Sequence, residues 1–279
     1  MAGSIAAGGT DATAGAGRIR TAFEAAARAD RAALVPYVVA GYPDLETSLA
    51  AAIAAIDAGA DLLEVGLPYS DPLADGATLQ RASSVALRGG ATLERSLELV
   101  ARLHAARPAV PLVPMAYLNQ VLGAGDPAAR LARFAAAGAA GLILADLTLD
   151  EGAPVEAAAR DAGLALVYLV TPTTTPERRA RIARRSGGFL YAVSLVGVTG
   201  ARASLPPRVA RFLGEVCAVS PLPVAVGFGV ARPAHVRRLA RLADGVIVAS
   251  ALVDALGPDG TDVPRMAELV RALAGATAR

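Results

Sequence analysis

The stretch Asp61-Leu62-Leu63-Glu64-Val65-Gly66-Leu67-Pro68 is apolar apart from two acids and ends on a proline. Its side chains alternate, so Leu62, Glu64 and Gly66 share one face while Leu63, Val65 and Leu67 share the other. Glu64 is therefore expected to point away from the more apolar side. A run bounded by Gly and Pro and rich in Val and Leu reads as a parallel strand buried on both faces. Seven further runs repeat the pattern: Ala33 to Gly41, Pro111 to Tyr117, Ala140 to Leu147, Leu164 to Thr171, Gly188 to Leu195, Pro223 to Val230 and Gly245 to Leu252. Amphipathic stretches such as Asp44 to Ala58 and Pro176 to Arg185 alternate with them. Eight such units predict an α/β fold closed into a (β/α)8 TIM barrel. An open doubly wound sheet is the alternative, but no Gly-x-Gly-x-x-Gly opens the first helix as a dinucleotide site requires.

The 279 residues are 54% hydrophobic and 19% charged, the composition of a folded chain. No linker or shift of composition separates Arg18 from Arg279, so this span is expected to be one domain. Met1 to Gly17 has neither a basic start nor a sustained apolar core, so it fails as a signal peptide and is expected to be a flexible leader. No apolar run reaches the roughly 20 residues that span a bilayer. A net charge of +2 and 4% aromatic residues argue against a nucleic-acid partner. The single cysteine, Cys217, excludes an internal disulfide and suits a reducing cytoplasm.

All 27 residues of the Lys+Arg count are arginines. Without a lysine amine, this chain forms no Schiff base with a carbonyl substrate or with pyridoxal phosphate. His104 and His235 fall in Arg- and Ala-rich helical patterns away from the acidic loop, and they read as surface or helix-packing residues rather than as metal ligands.

Burying a carboxylate costs several kcal/mol unless it is paired or neutralised. Glu64 in its strand is thus either a structural ion-paired or hydrogen-bonded glutamate, or a general acid whose pKa is lifted by burial. The loop that follows, Tyr69-Ser70-Asp71-Pro72-Leu73-Ala74-Asp75-Gly76, adds two more acids at the carboxyl end of the strand, where such barrels build their active sites. Small residues close the last three strands: Gly197-Val198-Thr199-Gly200, Gly227-Phe228-Gly229 and Ala249-Ser250-Ala251. They let main-chain N–H groups approach an anion at the usual barrel phosphate position, although Gly-x-Gly after a strand is more often a tight turn.

The run Leu63 to Gly76 resembles, nearly letter for letter, the acidic signature of the tryptophan synthase alpha subunit family. Pro36-Tyr37-Val38-Val39-Ala40-Gly41-Tyr42-Pro43 resembles the family's first strand, and Gly197 to Gly200 its mobile sixth loop. The likeness extends across most of Phe23 to Ala274. It implies cleavage of indole-3-glycerol phosphate to indole and glyceraldehyde 3-phosphate in tryptophan biosynthesis, with Glu64 as the acid, Asp75 stabilising charge at the ring nitrogen, and Tyr191 assisting. It further implies that Gly200, Gly229, Ala249 and Ser250 hold the phosphate, and that Tyr37, Met115, Ile143, Thr199 and Phe228 border the indole ring. Barrel-core packing is the competing reading of Tyr37, Met115 and Ile143. No metal or cofactor is implied in this chain. Pyridoxal phosphate would belong to a partner beta subunit in an alpha2beta2 assembly that receives indole through a shared tunnel.

The chain departs from the family pattern at four places. Tyr117-Leu118-Asn119-Gln120 stands where the family usually reads Tyr-Tyr-Asn-Pro, Ala145-Asp146-Leu147-Thr148 where Pro-Asp-Leu-Pro is common, Ala249-Ser250-Ala251 where Gly-Ser-Ala is typical, and Ala77 where a proline is usual. These changes leave both carboxylates intact and bear on the loops where the beta subunit docks in the family. The alternative that they raise is a free-standing lyase releasing indole without a partner. A noncatalytic barrel would be expected to lose Glu64 or Asp75, and a phosphosugar isomerase would not carry this acidic signature.

Overall fold

The computed structural model describes residues 10–123, 126–193, 207–227 and 229–279. Nine parallel strand segments run through it: β1 (Ala33–Val39), β2 (Leu63–Gly66), β3 (Leu112–Ala116), β4 (Gly141–Leu144), β5 (Ala165–Val167), β6 (Leu169–Val170), β7 (Leu190–Val193), β8 (Val224–Gly227) and β9 (Gly245–Val248). They hydrogen-bond in the order β5-β4-β3-β2-β1-β9-β8-β7-β6. The two ends of this list are halves of one run, Leu164 to Thr171, divided at Tyr168. The first half pairs with β4 and the second with β7, which closes the eight-unit barrel.

The division at Tyr168 has a local cause. The Tyr168 N–H leaves the ladder and donates to Ser186 Oγ at 3.0 Å, while its carbonyl accepts from Tyr191 N at 3.1 Å. Its side chain turns outward, where the hydroxyl donates to Glu156 Oε1 at 2.6 Å and Arg185 pairs with the same carboxylate at 2.8 Å. This buried network satisfies the polar groups that an interrupted strand exposes.

Two apolar layers result. One lies between the strands and the surrounding helices. The other fills the barrel, with Val35, Leu62, Val113, Ile143, Val167, Phe189 and Ile247 from its staves. The helix Ala14–Arg28 inserts Ile19 and Phe23 into this inner layer, and Phe23 lies 5.7 Å from Phe189 between ring centroids. The helix therefore plugs the amino-terminal mouth and leaves the carboxyl-terminal mouth as the open one. The Thr13 side chain caps the helix by accepting from Ala16 N, and Gly15 N donates to Gly163 O at 3.0 Å. Order thus begins earlier than expected: residues 14–17 of the anticipated leader belong to the plug, because only glycine allows the helix so close to the Ala140 carbonyl. Residues 1–9 lie outside the described part.

Among the described residues no helix is long and apolar enough to cross a membrane, and no group of His, Cys, Asp or Glu could hold a metal ion. Ile19 is fully buried, so Ile19→Ala leaves a cavity in the inner layer. The variant is expected to lose about 2–4 kcal/mol of unfolding free energy. Chemical denaturation measures this, and a loss below about 0.5 kcal/mol would show that the plug is not packed as described.

Candidate active site

Glu64 sits at the centre of β2, whose entrance is anchored by Asp61. That carboxylate accepts from the two terminal Arg31 guanidinium nitrogens at 2.6 Å and from the Leu34 N–H of β1 at 2.8 Å. From there the alternation carries Leu62, Glu64 and Gly66 into the barrel, as the sequence predicts. The interior is itself apolar, however, so Glu64 does not escape the greasy environment. The residue is 1% exposed, and neither carboxyl oxygen has a hydrogen-bond partner. Of the two readings of a strand glutamate, the satisfied structural one is thereby excluded among the described residues. Burial, and then the charge of Asp75, push its pKa up to about 8.

Glu64 opens on a cavity of about 570 Å³ at the carboxyl-terminal mouth. The wall includes Tyr37 from β1, Met115 from β3, Tyr191 from β7 and Asp75 from the loop after β2. The Tyr37 ring lies across Gly66 and the Tyr191 ring across Gly227, positions at which any side chain would strike the phenol. Burial, and then the nearby carboxylates, hold both phenols far above their ordinary pKa, so they remain donors near neutrality. Ile143, the other expected neighbour of the ring, packs beneath this wall. It is fully buried in the inner apolar layer, and its register partner Met115 reaches the wall.

Asp75 is half-buried, and burial raises its pKa to about 6. A brace built by the loop after β3 positions it. Ala74 N donates to the Tyr117 hydroxyl at 2.9 Å, Tyr117 stacks on Tyr69 at 4.7 Å, and Asn119 Nδ2 donates to the Tyr69 hydroxyl at 3.1 Å. Gln120 Nε2 donates to Pro68 O at 3.0 Å, while its Oε1 accepts from Tyr117 N at 2.9 Å. Gln120 thus replaces the usual proline with a side chain that ties two loops together. Asp146 extends the tie by accepting from Leu118 N at 2.7 Å. In the sequence Gln120 reads only as a departure from the family pattern. Its contribution depends on a contact with Pro68, far away in the sequence.

On the β8–β9 side the wall is made by Gly229, Val230, Ala231, Arg232, His235, Ala249 and Ser250. Gly229 has φ 72°, which favours glycine. Ala249 has φ −119°, so alanine fits there without a left-handed backbone. Ser250 begins the helix Ser250–Ala255. Gly200, Thr199 and Phe228 lie outside the described residues. Arg232 is not among the expected site residues, and His235, which the sequence places away from the acidic loop, lines the same cavity as Asp75. The available signal was their position just beyond Gly227-Phe228-Gly229, where the first charged side chain after a strand-end glycine pair can face the mouth.

Two carboxyls in one cavity with pKa values driven apart supply an acid and an anion together near neutrality. The protonated state of Glu64 also leaves a mark on stability. Between the ordinary value of 4.5 and the folded value of about 8, the unfolded chain has released this proton while the folded protein keeps it. Folding stability therefore falls as pH rises through that window, and the whole penalty is present above it. Glu64→Gln removes the titration, so its stability relative to the parent is expected to rise by roughly 2–4 kcal/mol between pH 5 and pH 8.5. Urea unfolding across pH measures this, and a constant difference would mean that Glu64 is ionised in the fold.

Residues 23–278 match the family model described as tryptophan synthase alpha chain. Tryptophan synthase alpha chains from Roseiflexus castenholzii and Gloeobacter violaceus are 48% and 45% identical to the chain, over 92% of its length in each case and 99% and 94% of theirs. Among solved structures, Mycobacterium tuberculosis tryptophan synthase superimposes with a TM-score of 0.87 at 42% identity, covering 94% of this chain and 98% of that one. The alpha subunit from Legionella pneumophila gives 0.85 at 31% identity, covering 93% and 98%. With the barrel closed, the acidic loop intact and the likeness running nearly end to end, the chain belongs to the tryptophan synthase alpha chain family.

Proposed function

We propose that Glu64 and Asp75 are the acid and the charge-stabilising carboxylate with which this enzyme of tryptophan biosynthesis cleaves indole-3-glycerol phosphate to indole and glyceraldehyde 3-phosphate. The observation that carries the assignment is the Glu64 carboxyl, buried without a partner on the cavity wall and protonated near neutral pH. Cleavage requires a proton on indole C3, which converts the ring to an indolenine cation and weakens the bond from C3 to the side chain. Glu64 supplies that proton. Asp75, with its lower pKa, is the anion that faces the ring N1–H as positive charge develops there. The bonding pair returns to the ring, the C3′ hydroxyl becomes the aldehyde, and its proton passes to the Glu64 carboxylate. The acid is thus regenerated within one turnover.

Tyr191, protonated and close enough to Glu64 to feel its charge, assists by hydrogen bonding. Tyr37 and Met115 border the ring, as do Thr199 and Phe228, while Gly200, Gly229, Ala249 and Ser250 receive the phosphate. The cytoplasm is the proposed compartment. The proposed partner is a beta subunit in an alpha2beta2 complex. It would carry the pyridoxal phosphate, for which this chain has no lysine. Leu73, at the tip of the acidic loop, is 95% exposed and gives that partner an apolar contact next to Asp75.

Glu64→Gln is expected to fold, bind substrate and lose turnover, and near-normal turnover would remove Glu64 as the acid. Asp75→Asn is expected to slow turnover by about 10²–10⁴-fold, and a mild effect would make Asp75 a loop-shaping residue. Indole release by the purified chain is expected to be slow alone and strongly raised by a tryptophan synthase beta subunit that completes loop closure. Rapid release that the beta subunit does not change would identify a free-standing lyase.

A further inference from the structure

The charges around the cavity are unevenly matched to a phosphorylated substrate. Its described wall carries three acids, Glu64, Asp75 and Asp254, and one arginine, Arg232. Asp254 is paired with Arg81 at 3.3 Å. His235 is buried, and burial together with Arg232 and Arg238 lowers its pKa, so it contributes a neutral ring near pH 7. Arg232 is therefore the permanent positive charge on this wall among the described residues. It is exposed, its side chain does not cap the helix Pro233–Leu239 that follows, and it has no ion pair among the described residues. The chain elsewhere ties many of its arginines to carboxylates, as in Arg31–Asp61 and Arg185–Glu156.

The backbone next to Arg232 is also held in place. His235 Nδ1 accepts from Ala231 N at 3.3 Å, which folds the segment after Gly229 back on the start of the helix and keeps Arg232 at the cavity rim. Main-chain N–H groups at Gly229 and Ser250 can orient a phosphate but bring no net charge. A dianion entering a cavity that also carries Asp75 is favoured by a cation on the wall, and a guanidinium matches a phosphate in geometry as well as charge.

We infer that the Arg232 side chain is a cationic contact for the phosphate of the substrate and the determinant that favours phosphomonoesters over their uncharged alcohols. The inference rests on the reading of the β8–β9 side as the phosphate end. It assigns a charged side chain to a subsite otherwise made of main-chain groups. His235 acts as a positioning residue through Ala231.

The test is calorimetric binding of glycerol 3-phosphate and of inorganic phosphate to the full chain, with kinetics on indole-3-glycerol phosphate. Arg232→Gln keeps a polar side chain but removes the charge. It is expected to weaken both probes about tenfold and to raise KM about as much with kcat within twofold. Arg232→Lys is expected to recover at least part of the loss, and the gap between parent and Arg232→Gln is expected to shrink when salt is raised from about 0.02 M to about 0.5 M. Equal binding of the probes by the parent and Arg232→Gln would overturn the inference while leaving the phosphate end intact. Failure of the folded parent chain to bind either probe would overturn the phosphate end and the inference with it.

Discussion

Both oxygens of the Glu64 carboxyl are shut away from water with no donor in reach, and much of the molecule can be understood as the means of keeping them so. An ionised carboxylate in such a place would cost several kcal/mol, so the group stays protonated where an ordinary glutamic acid would have ionised. The condition depends on a dry barrel interior. The Ala14–Arg28 plug seals one mouth, the inner layer of Val, Leu and Ile fills the middle, and the Tyr37 and Tyr191 rings flank the acid at the other. The acid lines the wall of the carboxyl-terminal cavity, so its proton faces that space.

Asp75 shows the complementary arrangement. It stands on a loop rather than in a strand, keeps partial access to water, and is held from behind by Tyr117, Tyr69 and Gln120 rather than by a charge of its own. A cationic partner would lower its pKa and occupy the lone pairs that the proposed role of Asp75 uses. The brace fixes the backbone and leaves the carboxylate free. The same loop presents Leu73 outward, so contact by a partner at the tip bears directly on the segment that carries Asp75.

Much of the barrel could be read from the residues. Glycine and proline punctuated each strand, and alternation assigned Glu64 to the same face as Leu62 and Gly66. The split at Tyr168 was hidden, because its cause is Ser186 capturing a backbone N–H from eighteen positions away. The plug was hidden for a related reason: Ala14 to Gly17 has a leader-like composition, and its order comes from packing against Ala140 and Gly163. In the site, Glu64 and Asp75 were legible as acids in the right register. Gln120, Arg232 and His235 were not, since each matters through a neighbour distant in sequence or through the sign of charge it adds to a shared cavity.

The proposed chemistry depends on Glu64 holding its proton near neutral pH. Isotope-edited infrared or carbon NMR spectroscopy of the labelled Glu64 side chain in the folded chain measures this directly. A carboxyl that is protonated at pH 7 and titrates near 8 agrees with the account. A carboxylate already ionised at pH 6 would contradict it and return Glu64 to the ordinary range of glutamates.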